Sequence, residues 1–263
     1  MFAGYIDRIR KKFAYSYNKI IPLSSTDYGA IAARDAVEIK DVRGKHVLVV
    51  GCNTGRECTY FVHAGARLVY GVDITDDIGS EYVHERISYH KNSVEKLPFP
   101  ENTFDLVYAF ATLEHVNNID LAFSEMHRVC KKKGIIFSIA SPLWNSQYGH
   151  HKSDLFSGYP WIHLILDKNE IIQWFIENKA TSLPGYAENI EHHVSYMLND
   201  NFFNKKFAKE YIKACASLDA TIIKNEIDCE SPSVITQEAK NKLFAYDEFE
   251  LLGVTHRYIG KKN

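Results

Sequence analysis

His46-Val47-Leu48-Val49-Val50-Gly51-Cys52-Asn53-Thr54-Gly55 is an apolar run stopped by a glycine-bracketed turn. It reads as a buried strand whose C-terminal end enters a tight loop, and residues 56–64 read as the helix that follows. Val69-Tyr70-Gly71-Val72-Asp73 is a second apolar strand ending in an acid, and Asp73 lies 22 positions after Gly51. A carboxylate at that place accepts hydrogen bonds from both ribose hydroxyls of an adenosine cofactor. Strand, glycine turn, helix, strand and acid therefore follow in the order of a nucleotide-cofactor site. The turn lacks the G-x-G-x-x-G spacing that brings a helix N-terminus to a pyrophosphate, so a dinucleotide is disfavoured.

Later segments narrow the choice. Ser93-Val94-Glu95-Lys96-Leu97-Pro98-Phe99-Pro100-Glu101-Asn102-Thr103-Phe104-Asp105-Leu106-Val107, Leu113-Glu114-His115-Val116 and Glu125-Met126-His127-Arg128-Val129-Cys130-Lys131-Lys132-Lys133-Gly134 stand in that order. Together with the first loop they cover roughly residues 45–142 and resemble class I S-adenosylmethionine-dependent methyltransferases of the type-11 small-molecule group. The resemblance implies an α/β fold: a Rossmann-like seven-stranded sheet, mostly parallel with one antiparallel strand, helices on both faces, and a small helical lid insertion. It also implies S-adenosylmethionine as cofactor. Gly51, Cys52, Asn53, Thr54 and Gly55 would pass under its methionine part. Asp73 and Ile74 would meet the ribose, Asn92, Ser93 and Val94 the adenine, and Phe110 would wall the site.

Two positions depart from the family pattern. Val49 stands where the first strand commonly ends in an acid, which removes a partner for the cofactor's ammonium group. Asn53 replaces the middle glycine, although asparagine is among the non-glycine residues most tolerant of positive φ. These departures motivate a non-catalytic cofactor-binding protein as an alternative.

The 263 residues, 46% hydrophobic, can bury one full core plus a small cap. A formal charge of −2 gives no basic footprint for nucleic acid, so the expected partner is a small-molecule acceptor. Five cysteines without C-x-x-C spacing argue against a disulfide framework or structural zinc, and Cys52 and Cys58 read as buried filler. With no apolar run of about 18 residues and no charged-then-apolar leader, neither a membrane span nor a signal peptide is expected, and a cytoplasmic setting fits.

One domain is expected: residues 1–40 as an N-terminal helical cap, 41–180 as the cofactor-binding core, 181–218 as the lid insertion and 219–263 as closing strands. The basic and aromatic residues 1–20 are expected to form a helix across the cofactor mouth. Residues 135–140 read as a central strand, 167–178 as an amphipathic helix, 201–218 as helical, 219–228 as a strand, 237–244 as a helix and 249–260 as a reversed strand.

The connection over residues 141–166 is long for an α/β unit and leaves a strand end, where ligands bind in open sheets. It gathers His150, His151, Lys152, Asp154, Trp161 and His163. His150 or His151 is the first candidate base for a hydroxyl acceptor and His163 the second; for an ionised phosphate or phosphoramidate acceptor they would hold the anion instead. Glu114-His115 resembles the end of an E-x-x-E-H metal pattern of ubiquinone-pathway O-methyltransferases, with Ala111 in place of the first acid. Glu114 and His115 with His150 or His151 would suit manganese, iron or zinc; the plainer reading packs His115 under the fourth strand. His192-His193 read as solvated surface residues.

The loop Gly149-His150-His151 with Pro160-Trp161-Ile162-His163 resembles enzymes of bacterial surface-polysaccharide biosynthesis, including those of the O-methyl phosphoramidate type. The expected activity is O-methylation of a sugar, nucleotide-linked or phosphorylated precursor of a capsule or surface polysaccharide. Quinone or phenol O-methylation and N-methylation of a small amine are the alternative reactions.

Overall fold

The computed structural model describes residues 27–263, so the expectation for residues 1–20 lies outside the described residues. Seven strands form one sheet: β1 (His46–Val50), β2 (Leu68–Asp73), β3 (Ile87–Lys91), β4 (Phe104–Phe110), β5 (Cys130–Ala140), β6 (Ala220–Cys229) and β7 (Gly253–Lys262). Their order is β3-β2-β1-β4-β5-β7-β6. The first five run parallel, and β7 is antiparallel to both β5 and β6.

The helices described are α1 (Tyr28–Ile39), α2 (Arg56–His63), α3 (Ile119–Val129), α4 (Ser153–Phe156), α5 (Ile162–Ile165), α6 (Lys168–Asn178), α7 (Pro184–Ala187), α8 (Ile190–Met197), α9 (Ala208–Ala216), α10 (Gln237–Lys242) and α11 (Glu248–Leu252). Successive side chains of a strand point to opposite faces, so the run Val47 to Val50 is apolar throughout because both faces are covered. Val47 and Val49 pack with Tyr108, Phe137 and the α1 and α2 residues Ala33, Ala36 and Phe61. Leu48 and Val50 pack with Val107, Ile136 and the α3 and α9 residues Phe123, Met126, Tyr211 and Ala214.

One apolar cluster runs from before residue 181 into the segment after it. Leu155, Phe156, Ile162, Ile171 and Phe175 share one buried cluster with Ile190, Val194 and Met197. Helices this short cannot bury an apolar stripe alone, so α4, α5, α6 and α8 satisfy one another. The helix read over 167–178 forms as α6, with Asp167 and Glu170 making a reciprocal capping box.

Two expected elements are corrected. Residues 201–207 are not helical, and α9 starts only at Ala208. The Asn204 side-chain amide donates to the carbonyls of Leu113 at 2.7 Å and Val116 at 2.9 Å, and its backbone N–H donates to Glu114 at 3.0 Å. Those tertiary bonds hold the segment extended over the loop after β4. Nor does the last strand begin at 249: Asp247 caps Phe249 N at 2.9 Å and starts α11, and β7 begins at Gly253. From α11 the buried Glu250 accepts from Ala208 N at 2.6 Å, capping α9 in turn.

His256 on β7 is wholly buried and donates from Nε2 to Asn225 Oδ1 at 2.9 Å. Burial lowers its pKa from 6.5 to about 4. The imidazole is neutral in the fold while the unfolded chain takes up its proton below about pH 6.5, so its contribution to stability is lost as pH falls from there toward 4. At about 1.4 kcal/mol per unit the loss reaches roughly 3 kcal/mol. The variant His256→Gln should show a shallower fall of the urea-unfolding free energy between pH 6.5 and 4 than the parent; equal slopes would contradict this assignment.

Candidate cofactor and acceptor site

The chain leaves β1 toward β2 and leaves β4 toward β5, on opposite sides. The crevice beyond the carboxyl ends of β1 and β4 is thus the switch point at which open parallel sheets bind ligands. A cleft of about 410 Å³ lies there, with Gly51, Asn53, Asp73, Ile74, Asn92, Ser93, Val94 and Glu95 on one side and Ala111, Thr112, His115, Val116, Asn117, Asn201 and Phe202 on the other.

The glycine turn has a structural cause. Gly51 sits at φ 70°, and a Cβ there would run into the side chain of Thr112. Asn53 follows at φ 45° and Gly55 at φ 104°. The carboxylate of Asp73 locks the turn: Oδ2 accepts from Asn53 N at 2.8 Å, and Oδ1 from Ile74 N at 2.7 Å and Thr75 N at 3.2 Å. Of about four lone pairs on a carboxylate, three are engaged, and one on Oδ2 remains for a ribose hydroxyl. Holding both hydroxyls requires release of the long Thr75 bond.

Beside it Ile74 is 69% exposed. An aliphatic side chain left in water at the rim of a cleft is ready to cover a flat aromatic base. Val94 is buried beneath, Ser93 caps Glu95 N at 3.1 Å, and the exposed Asn92 is tied to β2 by its backbone N–H to Asp73 O at 2.9 Å.

Not every expected residue lines the cleft. Cys52 is buried in the core, and Gly55 backs onto the ring of Tyr89. With Thr54 they shape the turn without forming the cleft wall. Phe110 is a correction. It shares the strand face of Tyr108, and it lines a separate cavity of about 360 Å³ with Tyr28, Ala32, Ser141 and Arg257.

The three candidate bases are also redistributed. His150 is wholly buried, its Nδ1 accepts from Lys152 N at 3.1 Å, and burial with His163 and His151 nearby drives its pKa down to about 2. His163 is buried too; Nε2 donates to Trp144 O at 2.7 Å, and burial lowers its pKa to about 4. Neither lines the cleft, so both are corrected from bases to buried parts of the loop's own packing. Apolar neighbours Trp144 and Phe156 place them there.

His151 does approach the site. It stands at φ 59°, Nε2 donates to Pro142 O at 3.1 Å, and its ring lies 5.2 Å from that of His115. His115 Nδ1 lies 2.9 Å from the Phe202 carbonyl. A carbonyl only accepts, so that nitrogen carries the proton and Nε2 keeps its lone pair. Burial lowers the pKa of both imidazoles, that of His151 to about 4. Glu114 next door is 3% exposed, and among the described residues neither carboxyl oxygen has a hydrogen bond of standard geometry, the backbone amides of Glu114 and Ser141 lying near. Burial raises its pKa to about 8.

Sequence reading missed Thr75, Glu95, Thr112, Asn117, Asn201 and Phe202. Glu95 and Thr75 adjoin named residues and were within reach of the same argument. Asn201 and Phe202 carry no local signal, since the Asn204 bonds described above bring them in.

A family model described as a methyltransferase domain matches residues 48–138. A sterol 24-C-methyltransferase of Gibberella zeae is 31% identical over 100 residues, which are 35% of this chain and 26% of that protein. A ubiquinone biosynthesis O-methyltransferase of Bradyrhizobium is 29% identical over 140 residues, 49% of this chain and 54% of that one. The chain thus spans between about a quarter and about half of the relatives it matches. The solved S-adenosylmethionine-dependent methyltransferase of Mesorhizobium loti superposes with TM-score 0.53 at 14% identity, covering 88% of this chain and 98% of that one. Residues 48–138 thus match a methyltransferase domain, and the sheet has the fold of solved S-adenosylmethionine-dependent methyltransferases.

The left-handed place of Asn53 gives a test of the turn. Asn53→Gly should keep S-adenosylhomocysteine affinity within about threefold. Asn53→Val, β-branched at positive φ, should destabilise the turn by about 1–2 kcal/mol and weaken binding about tenfold or more. Equal affinities by calorimetry would show that the turn does not control the site.

Proposed function

We propose that the protein transfers the methyl group of S-adenosylmethionine to an oxygen of a small acceptor. The observation that carries this reading is the Asp73 carboxylate, fixed by three backbone N–H groups and facing a cleft beside exposed Ile74. An adenosine fits that pair: hydroxyls to the carboxylate, base against the aliphatic side chain. The methionine part then runs over Gly51 and Asn53 toward Thr112.

Transfer is an in-line displacement. The acceptor oxygen forms the new bond to the methyl carbon, the carbon–sulfur pair stays on sulfur as a thioether, and a hydroxyl acceptor gives up its proton. The protein's task is alignment and exclusion of water. His115, Asn117, Asn201 and Phe202 wall the acceptor side.

A sugar, nucleotide-linked or phosphorylated precursor of a capsule or surface polysaccharide is the acceptor class we favour. It is supported by the resemblance of the 149–163 loop and by the exposed amides Asn117 and Asn201 at the mouth. A quinone or phenol is the second reading, favoured by the likeness to the ubiquinone biosynthesis O-methyltransferase and by Phe202 in the wall.

Calorimetry with S-adenosylhomocysteine, with NAD as control, tests the cofactor. Asp73→Ala removes both the ribose acceptor and the lock on the turn and should weaken binding about tenfold or more, a loss of at least ~1.4 kcal/mol. An acceptor panel with labelled S-adenosylmethionine follows. Unchanged affinity in Asp73→Ala, or no binding by folded protein, contradicts the reading.

A further inference from the structure

Glu114, His115 and His151 each offer one ligand atom, and the three atoms lie within 4.8 Å of one another. They come from two separate loops, the one after β4 and the one after β5, which the fold brings together.

Each group is arranged as a ligand rather than as a hydrogen-bonding partner. Both imidazoles have one nitrogen engaged by a backbone carbonyl, Phe202 for His115 and Pro142 for His151. That contact fixes the tautomer and leaves the second nitrogen as a lone-pair donor, the arrangement that orients histidine on metals. The carboxyl of Glu114 is 3% exposed, and among the described residues neither oxygen has a hydrogen bond of standard geometry, only the backbone amides of Glu114 and Ser141 standing near, at a depth where a carboxylate without a cation or full hydrogen bonding is costly.

We propose that Glu114, His115 and His151 form a binding site for one first-row divalent transition ion, such as zinc, manganese or iron, on the acceptor side of the cleft. Two imidazoles and a carboxylate suit these ions, and hard magnesium less well. Tetrahedral ligand atoms about 2.1 Å from zinc stand about 3.4 Å apart, so small side-chain rotations close the cluster on an ion. Of the three residues His115 lines the cleft, so an ion held by them would stand beside the space left for the acceptor.

The role of the ion rests on the methyl-transfer reading. It would hold the acceptor oxygen and lower its pKa, so that a hydroxyl releases its proton to solvent before the methyl carbon arrives. His150 and His163, buried in the loop, do not join the site. His192 and His193 lie outside the cluster.

The test uses the full chain, free of any histidine tag and dialysed against chelator. Zinc is titrated by calorimetry, and cobalt(II) is followed by its visible absorption. One ion per chain is expected, with the absorption of a four- or five-coordinate cobalt site. His151→Ala and His115→Ala should each weaken zinc binding about tenfold or more. Glu114→Gln should do the same, and His192→Ala with His193→Ala should leave it unchanged. Circular dichroism and S-adenosylhomocysteine affinity, read on every variant, separate loss of fold and failure of the cofactor reading from loss of metal. If Glu114→Gln does not fold, the half-buried His151→Ala carries the test. A folded parent that binds S-adenosylhomocysteine but no zinc, or zinc binding that survives the double variant His115→Ala/His151→Ala, overturns the proposal.

Discussion

Much of this molecule depends on one carboxylate. Asp73 closes β2 and accepts the amides of Asn53, Ile74 and Thr75, so it joins the turn after β1 to the turn after β2. Gly51 N and Cys52 N add bonds to the Val72 carbonyl at 2.8 and 3.2 Å. A loop with positive φ at Gly51, Asn53 and Gly55 would otherwise be free to relax. The bonds hold its shape and keep the carboxylate at the cleft. One side chain thus ties the two turns together and stands at the cleft.

The opposite wall is built by longer-range ties. Asn204 spans from the segment before α9 to the Leu113 and Val116 carbonyls, and Phe202 meets His115 both through its carbonyl and by ring contact at 4.6 Å. The helical unit of α4 to α8 has its own apolar core and carries Asn201 and Phe202 to the cleft at its C-terminal end. That wall of the cleft is therefore set by how the unit sits on the loops after β4 and β5. The wall from Gly51 to Glu95 is set by the sheet itself.

This division explains what could be read from residues alone. The first two strands and the Gly51 to Gly55 turn were legible, because apolar runs bounded by glycine and acid are local patterns with a direct physical cause; the seven-stranded sheet followed from the family resemblance, and the strand order came only with the structure. Asn92, Ser93 and Val94 were named from the resemblance, and the structure brings them with Asp73 into one cleft. Phe110 was misplaced because alternation along β4 sends it to the far face. The histidine-rich loop misled more deeply. Density of polar residues in a connector points to function, but His150 and His163 are spent on internal packing and backbone bonds, and only His151 emerges toward the site. Asn201 and Phe202 were invisible because their place depends on contacts far away in sequence.

The most direct test of the account is a crystal structure of the protein with S-adenosylhomocysteine. The account predicts density beyond the carboxyl ends of β1 and β4, with a ribose hydroxyl on Asp73, the adenine against Ile74 and near Asn92, and the sulfur close to Gly51 and Thr112. Density in the cavity lined by Phe110 and Arg257, or a cofactor that leaves Asp73 without contact, would contradict it.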